Sequence, residues 1–172
     1  MSWVSGLTYK NVLTARRLAA NAAQLGFRNR QNIHYTQDSR RWSGINGNRR
    51  SGKGQYPPYA DCSAFATWCL WNGLYIPFDV RDTVNGAAWK AGYTGTMLEH
   101  GRRMTDISKV RKGDCVIYGH GFPGQHTAIV VGWSAKVSNG GHPMVISHGS
   151  EGGPYYLPYN YRSDIMQIRR YI

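Results

Sequence analysis

Three short apolar runs rich in β-formers crowd the second half of this chain, at 115–118, 126–132 and 143–148, while the first half carries helical spacing. That order constrains the fold more than any other feature. Val12, Leu13, Ala15, Leu18, Ala19, Ala22 and Leu25 predict a helix over residues 9 to 26, closed by Gly26. A second helix is predicted to start at Asp61 or Cys62 and stop at Gly73, with Phe65, Trp68, Cys69 and Trp71 toward the core. Thr83 to Ala91 reads as a third, short helix, and Asp38 to Trp42 as a single helical turn. Lys112-Gly113-Asp114 reads as a turn into the first strand, Gly-containing connections join the later ones, and the run Ile165 to Ile172 alternates two faces. Helices followed by an antiparallel sheet make an α+β domain. At 172 residues, 41% hydrophobic, the chain suits one domain, with residues 1–55 as an N-terminal helix and basic loop and 56–172 as the core.

The charge bears on partners. Twenty-one basic against nine acidic residues give a formal +12, spread in pairs such as Arg16-Arg17, Arg40-Arg41 and Arg102-Arg103. Such a surface attracts polyanions, either nucleic acid or an anionic bacterial envelope. No apolar run is long enough to span a bilayer, and the first residues lack the basic head and apolar block of a secretory signal. The expectation is synthesis in a cytosol, without membrane insertion. Cys62 and Cys69, on one predicted helix, stand about 10 Å apart by helical rise, too far to bridge. Free thiols are expected, with Cys69 and Cys115 as inert core residues.

Chemistry centres on Asp61-Cys62-Ser63-Ala64-Phe65, which puts a thiol at a helix N-terminus, where free N–H groups and the dipole lower a thiol pKa. Downstream, His126 opens the strand His126-Thr127-Ala128-Ile129-Val130-Val131-Gly132. A thiol and an imidazole on fixed backbones are what a cysteine nucleophile and its base need. A third group should hold the other ring nitrogen, and His148 at the end of the next strand or Glu151 three residues on could serve.

Other motifs carry less. Gly47 to Lys53 fits most of a phosphate-binding loop, but Gly54 stands where Ser or Thr is needed and no apolar strand precedes it, so it reads as a flexible basic loop. Six histidines and three cysteines show no close ligand spacing, so neither a metal nor another cofactor is expected. Tyr155 to Tyr161 reads as an aromatic loop that lines a groove, covers the sheet, or stacks nucleic-acid bases.

Asp61-Cys62-Ser63-Ala64-Phe65, Gly113-Asp114-Cys115-Val116-Ile117 and His126-Thr127-Ala128-Ile129-Val130-Val131-Gly132 resemble, in order, the motifs of NlpC-type cysteine peptidases, over roughly residues 56 to 150. Ala64 and Ala128 replace glycines of the pattern with another small residue, and the connection from His126 to His148 is longer than usual. Ile33 to Gln37, Arg41-Trp42 and Ser147 to Glu151 further resemble the peptidase domain of endolysins from phages of actinobacteria. The resemblance implies a papain-like fold and cleavage of an amide in the peptidoglycan stem peptide during host lysis. It implies Cys62 as nucleophile, His126 as base and His148 or Glu151 as third residue. Tyr35, Asp61 and Ser63 are then candidates for oxyanion or substrate binding. Peptidoglycan becomes the expected partner, with anionic wall polymers in preference to nucleic acid, for a monomer made in the host cytoplasm and acting on the wall after release. The related CHAP-type amidases share the Cys–His logic, and a non-catalytic basic domain holding wall polymer or nucleic acid is the alternative from another class.

Overall fold

The computed structural model describes residues 9–74, 84–85, 89–90, 92–119, 125–149 and 152–172. Most of the expected helix at 83–91, His120 and Glu151 therefore lie outside the described residues.

Helix α1 runs Tyr9–Arg28 and buries Val12, Ala15, Ala19, Ala22 and Ala23 along one stripe. Gly26 does not end it. It is buried there, and a Cβ at that position would meet the Phe65 ring at 2.5 Å, so this glycine serves close packing rather than helix termination. The brief helix α2 (Ser43–Asn46) follows the turn Ser39–Trp42, which Asp38 caps. Helix α3 spans Cys62–Gly73 and is buried on nearly every side, with Trp71 only partly covered. It can be apolar all round because it lies between α1 and the sheet. The approach to α1 is close: a Cβ on Gly73 would stand 2.4 Å from the Ala15 carbonyl oxygen. The short helix α4 is Thr94–Met97.

Strands β1 (His34–Tyr35) and β2 (Tyr59–Ala60) form a small parallel pair that sets Tyr35 beside Ala60, immediately before the Asp61-Cys62 corner. The main sheet contains β3 (Arg102–Met104), β4 (Cys115–Tyr118), β5 (His126–Trp133), β6 (Pro143–Gly149), β7 (Gly153–Pro158) and β8 (Ile165–Arg170). Their order is β3-β8-β4-β5-β6-β7, antiparallel throughout. The architecture is α+β, as the element order predicts. One sheet face, with Cys115, Ile117, Ile129, Val131 and Ile146, packs under α1 and α3. The other, with Val116, Tyr118, Ala128, Val130 and Val145, is covered by Val110, Met104, Trp133, Leu157 and Tyr159.

Two expectations need correction. The aromatic segment is not simply a loop: Gly153–Pro158 forms β7 and pairs with β6. The Gly47 to Lys53 run is not free. Trp68 Nε1 donates to the Arg49 carbonyl at 2.9 Å, Ser51 N–H to Asn72 Oδ1 at 2.8 Å, and the Arg50 guanidinium stacks 3.2 Å above the Trp71 ring. The basic loop is thus tied to the outer side of α3. Gly113 adopts φ +85°, which explains the glycine of the Gly-Asp turn. Asp114 beside it is buried and takes both arms of Arg170 at 2.7 Å, locking β4 to β8.

Candidate active site

The corner before α3 is built by Asp61. Its backbone is extended and its Oδ1 caps the helix by accepting from Ala64 N–H at 2.7 Å and from Ser63 Oγ at 3.0 Å. Its Oδ2 accepts from Arg41 Nη1 at 2.7 Å, while Arg41 Nη2 reaches the Gly92 carbonyl at 3.1 Å. Asp61 and Ser63 thus use their side chains on the helix start itself. Cys62 occupies the first helical position, where the leading N–H groups have no partner within the helix.

The thiol is buried, and its Sγ lies 3.6 Å from Thr94 Oγ1. Burial first, and then the Asp61 carboxylate, raise its pKa; the Thr94 hydroxyl and the Thr127 and Ser63 backbone N–H groups act in the opposite sense without prevailing. The lowered thiol pKa expected from a helix N-terminus is therefore not found in this arrangement. Cys69 and Cys115 are free and fully buried, with thiols also pushed upward by burial.

His126 opens β5 and is half-buried. Its Nε2 is hydrogen-bonded to Ser147 Oγ, and Ser147 Oγ in turn lies 3.3 Å from the Tyr161 hydroxyl. The Tyr118 ring lies alongside, centroid to centroid 5.9 Å. His126, Ser147 and Tyr161 border a cavity of about 300 Å³ that Tyr35, Tyr155, Leu157 and Arg162 also line.

β5 and β6 pair as expected, but the register decides which side chain meets His126. Ala128 stands opposite Ser147, so by strand alternation His126 and Ser147 share the face of Tyr118, and Thr127 and His148 share the face under α3. His148 is therefore not brought to His126. It is fully buried, edge-on to Tyr35 at 5.5 Å and to Phe65 at 5.9 Å, and neither ring nitrogen has a hydrogen-bond partner among the described residues. Burial pulls its pKa down to about 4 despite the Asp61 charge, which keeps the ring neutral. Glu151 lies outside the described residues.

Cys62 and His126 are not hydrogen-bonded to each other: the thiol meets the backbone of Thr127, the residue after His126, and takes Thr94 as its partner, while His126 rests on the opposite face of the sheet with Ser147. Three groups at the site went unread in the sequence. Thr94 comes from a weakly patterned segment. Ser147 is the neighbour of the chosen histidine, and only the register separates the two. Tyr161 was seen only as part of an aromatic run.

Solved structures share this architecture. NlpC2 from Trichomonas vaginalis superposes with a TM-score of 0.58 at 19% identity, over 99% of this chain and 50% of that one. NlpC1 from the same organism gives 0.59 at 18%, over 99% and 48%. The fold is of the NlpC type. The chain spans about half the length of these NlpC proteins. No protein-family model matches the sequence, and neither does any curated protein. Within the NlpC-type fold, the motif-bearing segments hold the helix corner, the strand after the Gly-Asp turn and the strand that His126 opens.

Proposed function

We propose that the chain is a cysteine peptidase that cleaves an amide of the peptidoglycan stem peptide, as a phage endolysin does in host lysis. The observation that carries this is the placement of Cys62: the first turn of α3, in an NlpC-type fold, beside the strand that His126 opens. His126 adds to it. Its Nε2 is hydrogen-bonded to Ser147 Oγ, which fixes the ring at the start of β5, and an imidazole so held serves as the base for the thiol proton. Ser147, backed by Tyr161, then has the orienting place that the sequence offered to His148 or Glu151.

In the reaction, the His126 ring pivots on its Ser147 bond from the Tyr118 face toward the thiol and accepts its proton, and the sulfur attacks the amide carbonyl carbon. The oxyanion is stabilised by the Cys62 backbone N–H at the helix start. The C–N bond breaks as the imidazolium protonates the leaving nitrogen, giving a thioester. Water, deprotonated by His126, attacks the thioester; the C–S bond breaks, the carboxyl end leaves, and the thiol regains its proton. The raised thiol pKa means that the thiolate forms only when the imidazole arrives. Tyr35, lining the same cavity, contributes to substrate binding, whereas Asp61 and Ser63 position the corner. The peptidase works as a monomer, made in the host cytoplasm and acting on the wall after release. Among the described residues no helix is long and apolar enough to cross a membrane.

A second reading, a non-catalytic basic domain of the same fold, draws on the thiol's raised pKa and its Thr94 contact. Cys62→Ala separates the two. Release of new amine ends from purified cell walls should fall by about a thousandfold or more with the melting temperature unchanged. Retained hydrolysis overturns the cysteine assignment, and if Ser147→Ala abolishes it instead, the nucleophile is the serine. Masses of the released fragments distinguish a stem-peptide cut from the sugar–peptide amide of a CHAP-type amidase.

A further inference from the structure

At the far end of β5 from His126 lies a second groove of about 310 Å³, lined by Leu13, Arg16 and Arg17 of α1, Arg111 and Lys112 of the turn before β4, and Trp133. Leu13, Arg16 and Arg17 share one helix face by their spacing. Leu13 is 47% exposed although it is apolar. Trp133 is held in place, its Nε1 donating to the Val110 carbonyl at 3.2 Å. None of the four cations is in a salt bridge among the described residues; Arg16 Nε donates to a main-chain oxygen of Ile172 and Arg111 Nη1 to the Ser108 and Val110 carbonyls, and Asp114 acts on the Arg16 charge only from a distance. The carboxylate of this region, Asp114, is committed to Arg170.

We propose that this groove is a binding subsite for a phosphodiester-linked polymer of the bacterial cell wall, with a sugar or polyol unit against Trp133 and Leu13 and the flanking phosphates on Arg16, Arg17, Arg111 and Lys112. A fixed indole beside an aliphatic side chain offers an apolar floor for the C–H face of one repeat unit, and the cations around it match the charge on either side. A duplex would need a far longer contact, since single nucleic-acid-binding modules already bury about 600–1,000 Å². The choice of a wall polymer rests on the wall-directed reading of the candidate site; the groove itself does not.

The test uses the full chain carrying Cys62→Ala, so that binding is read without turnover. It is co-sedimented with purified cell walls bearing poly(glycerol phosphate), with the same walls stripped of phosphodiesters by hydrofluoric acid, and titrated with a 20-base-pair DNA duplex. Binding to polymer-bearing walls should be tenfold or more tighter than to stripped walls at 50 mM salt. Arg17→Gln combined with Lys112→Gln, both at exposed positions, should weaken it about tenfold and flatten its log–log salt dependence by roughly 1.5. With Cys62 restored, the same double variant should hydrolyse a small soluble stem peptide at the unaltered rate. Equal binding to stripped walls, unchanged affinity in the double variant, or tighter binding of DNA overturns the proposal. Failure of the peptidase reading leaves these binding contrasts intact, and loss of the contrasts leaves small-peptide hydrolysis intact, so the two fail separately.

Discussion

Replacing Ser147 by alanine isolates the contact that makes His126 a base. The serine is buried at 3% exposure, and its Oγ is bonded to His126 Nε2 and lies 3.3 Å from the Tyr161 hydroxyl. Alanine removes one oxygen and nothing else from the backbone pairing of β6. In the resting enzyme the loss is that of a neutral hydrogen bond, about 1 kcal/mol. Once the imidazole has taken the thiol proton, the same bond is charge-assisted and contributes roughly 1.5–3 kcal/mol. The part realised only on the way to the transition state, about 0.5–2 kcal/mol, therefore lowers kcat by roughly 2- to 30-fold. KM should move by less than about threefold, because the hydroxyl is turned to His126 and Tyr161. The assay is release of amine ends from a defined peptidoglycan fragment, with thermal melting as a control on folding. Ser147→Thr, which keeps the hydroxyl, should recover most of the rate. Wild-type kcat in Ser147→Ala would refute the reasoning. So would a loss confined to KM, which would make Ser147 a wall of the cavity and no more.

Two further outcomes follow from the electrostatics. Asp61→Asn keeps an oxygen for the helix cap but removes the charge that raises the thiol pKa, so the pH midpoint for iodoacetamide alkylation of Cys62 should move down; an unmoved midpoint would leave burial as the sole cause. His148 has a folded pKa of about 4 against an ordinary 6.5, so the unfolded chain binds the extra proton between those values; its contribution is intact above pH 6.5 and falls as pH drops toward 4, by up to about 3 kcal/mol. In urea titrations His148→Leu should lose that part of the acid sensitivity while keeping hydrolysis at neutral pH within about threefold. Equal acid sensitivity in both proteins would show that the ring is not held neutral, and collapse of hydrolysis in a folded variant would return His148 to the catalytic machinery.

The parts of the fold legible in the sequence are those where one local signal suffices. Cys62–Gly73 has an acidic cap before it and a glycine at its end; β4, β5 and β6 are short apolar runs between turn residues. β7 was hidden because Pro154 and Pro158 argue against a strand, yet it lies at the sheet edge, where a missing N–H is tolerated. β3 is three residues with two arginines, and only its pairing with β8 makes it a strand. The choice between Ser147 and His148 as the partner of His126 turns on a one-residue register, which no composition records. The thiol's protonation was misread for a related reason. The helix start is local and favours the thiolate, whereas the burial that outweighs it is set by tertiary packing around the corner, and the Thr94 and Thr127 groups that counter that burial are likewise distant in sequence.

Strand β5 gives the site and the basic groove a common axis. His126 opens it and Trp133 ends it, seven steps or about 23 Å apart in an extended strand. Small motions at one end should not reach the other through an interior strand held by β4 over its first half and by β6 from Ala128 onward, so the two regions act on different parts of catalysis. A defect at Ser147 lowers turnover on every substrate, including the shortest peptide, because it acts on the proton that every turnover moves. A defect at Arg17 and Lys112 raises the apparent KM on intact walls alone, because a fragment too short to span the strand never touches the groove. Measuring both variants on both substrates therefore separates chemistry from polymer capture, and a kcat loss in the groove variant on the short peptide would show that β5 couples its two ends.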